Sequence, residues 1–200
     1  MSKSLILVDA DYLDNVAFDL IVNFERIIGR PIPKADMARW IDCVALDGGL
    51  REKKQDGMSA ETGSNEVQVV LILDKQTKEL KNFMPSNYEE ELNGKAFKDH
   101  LGEFSFGAYP VEELTTKEDF FLDTLQTVCQ QKETTRIMII PDDSIYNNVR
   151  ELLYRLDDDT KHITVFTMQP MMGGSFHQEI LGYSLMAALG IRGEELKVEN

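Results

Sequence analysis

Residues 5–14 read LILVDADYLD, and the reading of the fold turns on them. Four apolar residues run without interruption into Asp9, with Asp11 and Asp14 close behind. A strand with one wet face alternates apolar and polar side chains. An unbroken apolar run suits a strand covered on both faces, as in a parallel sheet between helices. Beyond the acids, apolar residues fall at Leu13, Val16, Ala17, Leu20, Ile21, Phe24, Ile27 and Ile28. That spacing predicts an amphipathic helix, stopped by Gly29 and Pro31.

Outward from this unit, strand and helix keep alternating. Strand-like runs occupy 4–9, 67–74, 103–109, 136–141 and 162–168. Helical stripes occupy 34–46, 88–100, 117–131, 144–156 and 175–189. The order predicts one α/β domain over residues 1–200, a three-layer α/β/α sandwich with a mainly parallel five-stranded sheet. Residues 51–66, REKKQDGMSAETGSNE, carry almost no apolar side chain and are expected to form an exposed, flexible loop.

The 200 residues are 42% hydrophobic, enough for a sizeable core. No apolar run approaches the roughly 18–20 residues that cross a bilayer. The start MSKSLILVDADYLD does not read as a signal peptide, so the expectation is a cytoplasmic chain with no membrane partner. Cys43 and Cys129 fall in helical stripes and are read as packing residues. Net charge is −14, divided as −5 over residues 1–100 and −9 over 101–200. A field of that sign repels a polyanion, which disfavours RNA and leaves room for a protein partner or a homo-oligomer.

In open α/β sheets, ligands bind beyond the carboxyl ends of the strands, where the strand order reverses. Acids gather at those ends here: Asp9 and Asp11 after the first strand, Asp74 after the second, Asp142 and Asp143 after the fourth. Glu118, Asp119 and Asp123 stand at the head of the 117–131 helix. Carboxylates crowded into one cleft repel each other, and a divalent cation relieves the repulsion. Oxygen ligands without Cys or His favour Mg²⁺ or Mn²⁺. Helix capping is the competing reading. Asp11 with Asp14, Asp143 or Ser144, and Thr115 with Glu118 all sit where helix starts want acceptors. Asp9, directly after Val8, has no evident capping role in the sequence.

The pieces LILVDAD, KEDFFLD and IIPDDSIYNNVRELL, followed by ITVF, resemble the NYN branch of the PIN-like nuclease superfamily over residues 4–168. The resemblance implies a doubly wound sheet and a Mg²⁺-dependent RNase site. Asp9, Asp119 and Asp142 would be the catalytic ligands, with Asp11 and Asp143 as further metal ligands. Tyr12, Pro141 and Ser144 depart from the family pattern. These departures leave open a PIN-like binding or scaffold protein without nuclease activity. The chain as a whole also resembles uncharacterised protein families of gut Bacteroidetes.

Asp9-x-Asp11 is similar, too, to the first motif of haloacid-dehalogenase-type phosphatases, which implies an Asp9 nucleophile and an Asp11 general acid. That family also uses a lysine before its last acidic motif. Lys117 and Lys132 are the lysines between the third strand and Asp142. Elsewhere, Gly173-Gly174-Ser175 reads as a turn before a helix with a Ser175–Gln178 capping box, or as a phosphate cradle. Met171 and Met172 read as packing residues or a partner patch. Arg51, Lys53 and Lys54 form the densest basic spot, and Trp40 reads as core.

Overall fold

The computed structural model describes residues 2–53, 64–156 and 158–197. The 51–66 segment lies largely outside the described residues, and its last two, Asn65 and Glu66, already belong to a strand.

β1 (Lys3–Asp9) is buried from Ser4 onward and passes directly into α1 (Ala10–Ile28). Gly29 closes that helix in the left-handed conformation, φ 75°, its N–H bonded to Glu25 O at 2.9 Å. β2 (Ala35–Asp36) leads into α2 (Met37–Asp47), which Asp36 caps through the Arg39 N–H. β3 (Asn65–Leu73) is followed by an excursion. It contains β4 (Phe83–Met84), a short helical turn at Tyr88–Leu92 and β5 (Ala96–Lys98). Then come β6 (Gly102–Pro110), α3 (Lys117–Gln130) and β7 (Thr134–Ile140). A turn at Asp143–Ile145 opens into α4 (Tyr146–Leu156). β8 (His162–Thr167), β9 (His177–Ile180), α5 (Leu181–Ala188) and a last turn at Gly193–Leu196 complete the described chain.

Among the described residues the main sheet has seven strands in the order β5-β6-β3-β1-β7-β8-β9. Every neighbouring pair is parallel except β5 with β6. From β1 the chain winds outward through β3 and β6, then returns to build β7, β8 and β9 on the other side. The order therefore reverses between β1 and β7. Alternate β1 side chains serve two cores: Ile6 and Val8 pack with α1, α2 and α5, while Leu5 and Leu7 pack with α3 and α4. The outcome is a three-layer α/β/α arrangement, as the unbroken apolar runs require. Cys43, half-buried on α2, and Cys129, buried on α3, stand on opposite faces of the sheet.

Three expectations need correction. Among the described residues the sheet has seven strands rather than five, because two short segments join its edges. The stretch 88–100 is not one helix: a single turn stops at Leu92, and Ala96–Lys98 runs antiparallel to β6. Likewise 175–189 divides, with His177–Ile180 pairing β8 before α5 begins at Leu181. Ser175 and Gln178 therefore cap no helix, and the glycine pair does not lead into one. That loop is held instead by Tyr146, whose hydroxyl donates to Met172 O at 2.6 Å, and by Arg150, whose Nε donates to Gly173 O at 2.7 Å.

Candidate functional site: carboxylates around Lys117

Asp9 ends β1 and is also the N-cap of α1. Its Oδ1 accepts the Tyr12 N–H at 3.0 Å. No loop separates strand from helix, so the last strand residue must satisfy the helix start. The residue is only 2% exposed, and an ion buried so deeply needs a partner. Lys117 supplies it. As the first residue of α3 it sends Nζ to 3.2 Å from Asp9 Oδ1, 3.6 Å from Asp11 Oδ2 and 3.8 Å from Asp74 Oδ2.

A lysine in the first turn opposes the helix dipole, and carboxylates offset that cost. Burial works to lower the Lys117 pKa, but Asp9, Asp11 and Asp74 outweigh it and hold the ammonium above its ordinary value. Asp9 is pushed the other way. Burial raises its pKa to about 6, against the lowering pull of the Tyr12 N–H and Lys117.

The other acids of the opening motif staple the chain. Asp11 accepts the Asp74 N–H at 2.7 Å on Oδ2 and the Thr77 hydroxyl at 2.8 Å on Oδ1. Asp14 accepts the Lys81 N–H at 3.0 Å on Oδ2; its Oδ1 takes the Asn82 N–H at 2.9 Å and the Asn82 side-chain amide at 3.2 Å. Both residues thus pin the start of the excursion to α1. Asp142 caps the turn after β7 through the Ser144 N–H at 2.9 Å. Asp143 is exposed and, with Asp142 and Asp9, faces the Tyr12 hydroxyl. Burial, reinforced by those carboxylates, makes Tyr12 a weaker acid than a free tyrosine. On the far side the Tyr88 hydroxyl is buried without a partner, near Asp11, Asp14 and Asp9.

Five residues carried the sequence expectation, and they meet different fates. Asp9 and Asp11 converge, on Lys117 rather than on one another's open side. Asp142 and Asp143 lie beside Tyr12. Asp119 is exposed, two residues along α3 from Lys117, and residues so spaced face different sides of a helix. Its own N–H is held by the Thr116 hydroxyl at 3.1 Å, so Thr116, not Thr115, is the cap.

A Mg²⁺ or Mn²⁺ ion needs free oxygen lone pairs and a place to stand. Here Asp11 and Asp14 have committed their oxygens, and the ammonium of Lys117 holds the place between carboxylates. Among the described residues no three His, Cys, Asp or Glu side chains are disposed to hold an ion. The residues present do not fit the cation that the motifs suggested.

The Asp9 geometry makes a prediction. Its folded pKa lies above the ordinary 3.8, so the stability it contributes is complete below about 4 and lost as pH rises through about 6. Asp9→Asn keeps the capping oxygen and removes the buried charge. It is expected to flatten the stability profile between about pH 4 and 6 and to raise stability at pH 8 by about 2 kcal/mol. Urea unfolding at several pH values measures this. An unchanged slope would contradict the account.

Fold and site together define a doubly wound α/β protein in which three strand-end carboxylates, Asp9, Asp11 and Asp74, share one lysine of the same chain. By family, the chain belongs to DUF6621, a family of unknown function, which matches residues 1–196. No curated protein and no solved structure matches the chain. No helix among the described residues is long and apolar enough to cross a membrane.

Proposed function

We propose that this protein is a non-catalytic binding module on a PIN-like frame, in which a lysine has taken the role of the active-site cation. The observation that carries the reading is the Lys117 ammonium within 4 Å of Asp9, Asp11 and Asp74. A nuclease of the kind the motifs resemble needs Asp9 and Asp11 for a metal, and the net charge of −14 works against an RNA substrate. The partner is taken to be a protein with basic and apolar groups. The loops at the carboxyl edge of the sheet offer it Leu114, Met171 and Met172 among the exposed acids Glu118, Asp119 and Asp143.

The test uses the purified chain. Calorimetry with MgCl₂ and MnCl₂ is expected to show no binding, and single-stranded RNA is expected to survive incubation. Metal uptake together with RNA cleavage that Asp9→Asn abolishes would restore the nuclease reading.

A phosphatase is the second reading, favoured by one contact: the Lys117 ammonium on the Asp9 carboxylate, where it could steady a nucleophile and an incoming phosphate. Against it, both Asp11 oxygens are engaged, which leaves the second Asp poorly placed to donate a proton. Turnover of p-nitrophenyl phosphate that is lost in Asp9→Asn would establish this reading, and none is expected.

A further inference from the structure

A second pair of acids lies away from the switch point, where α2 meets the corner between β5 and β6. Asp42 is on α2. Asp99 follows β5 and shapes the corner, its Oδ1 accepting the N–H of Leu101 at 2.8 Å and of Gly102 at 3.2 Å. The two carboxyl groups are within hydrogen-bonding reach of one another. Asp42 Oδ1 and Asp99 Oδ2 are both shut off from water and have no donor. Two facing carboxylate oxygens can only accept, and each left bare is costly. One proton between them satisfies both. The charged groups that face the pair are Asp36, at the cap of α2, and His100, next to Asp99.

We propose that Asp42 and Asp99 share a single proton and thereby latch the β5–β6 corner to α2, and that the latch opens when the proton leaves. The energetics agree. Burial, then the Asp99 carboxylate, then Asp36 raise Asp42 to about 7. Burial works to raise Asp99 as well, but the proton from Asp42 and the N–H groups of Leu101 and Gly102 hold it below its ordinary value. The latch bears on more than the corner. Leu101 O accepts the Asn65 side-chain amide at 2.6 Å, and the same amide nitrogen donates to Arg51 O at 2.8 Å. Opening therefore loosens the point where the chain leaves α2 and enters β3, within the range of cellular pH.

For Asp42 the folded pKa exceeds the ordinary 3.8, so its stabilisation is complete below about pH 4 and is lost as pH rises through about 7. The experiment is carboxyl ¹³C NMR on the full chain with labelled aspartate, together with thermal unfolding at about pH 4.5 and 8. One Asp signal is expected to titrate near pH 7 and to vanish in Asp42→Asn. That variant keeps a donor for Asp99 and should shrink the fall in Tm between the two pH values by roughly 3–6 °C. Asp42→Ala, which has no donor, should be the less stable variant at pH 8. The proposal is overturned if no Asp signal other than that of Asp9, identified by its loss in Asp9→Asn, titrates above about pH 5. It is also overturned if Asn and Ala at 42 are equally destabilised, or if millimolar MgCl₂ displaces the titration, which would make the pair a cation site.

Discussion

Lys117→Met is expected to cost about 3 kcal/mol of stability at pH 8 and less than about 1 kcal/mol at pH 5. Methionine keeps an unbranched apolar side chain of similar length but removes the charge. Asp9, 2% exposed, is then an ion with a single N–H for company, and Asp11 and Asp74 lose their shared counter-ion. Removing one member of a buried pair leaves the other uncompensated, which is why the loss exceeds the worth of the pair itself. At low pH Asp9 is already protonated in the parent protein, since its pKa is about 6, and the charge of Lys117 matters less there. Combining Lys117→Met with Asp9→Asn should recover the whole loss and add about 1 kcal/mol over the parent, giving a coupling of about 2 kcal/mol in a double-mutant cycle at pH 8. Denaturant titrations at both pH values decide the matter. A loss that is the same at pH 5 and pH 8 would mean that Lys117 acts by packing alone.

Trp40→Ala is expected to cost about 4 kcal/mol. Trp40 is fully buried on α2, and its ring meets Phe83 of β4 edge to face, with centroids 5.9 Å apart. This contact, with Leu80 beside it in the same core, seats the excursion between β3 and β6 on the body of the protein. The segment it anchors also provides the donors to Asp11 and Asp14. Amide exchange at Thr77, Lys81 and Asn82 should therefore accelerate in the variant, ahead of exchange in β1 or β7. Trp40→Phe should cost much less, because it retains most of the ring and removes the Nε1 group, which is buried without a partner. Equal exchange rates across the two regions would show that the excursion is held by its hydrogen bonds to α1 and not by its apolar seat.

The layers of the fold were legible because the central strands are unbroken apolar runs and the helices carry clear stripes. The sheet edges were not. Ala96–Lys98 and His177–Ile180 are only three and four residues long, and each falls inside a stretch that reads as helical. Tyr88–Leu92 does turn like a helix, but only once. At the site, the convergence of strand ends could be anticipated from the position of Asp9 and Asp142. The job each acid performs could not. Asp9 looked unable to cap because a strand normally ends before a helix cap begins, whereas here one residue does both. Asp11 and Asp14 bond to residues more than sixty positions away, which spacing cannot reveal. The decisive residue, Lys117, did carry a signal: a cation in the first turn of a helix is unfavourable unless an anion waits for it.

The seven-stranded sheet ends on one side in a strand of three residues and on the other in a strand of four. A long bare margin would invite a neighbouring molecule to zip on and lengthen the sheet, the route by which β proteins grow into fibres. Stubs of this length give such a docking strand little to copy, so copies of this protein that associate should do so through helices and loops.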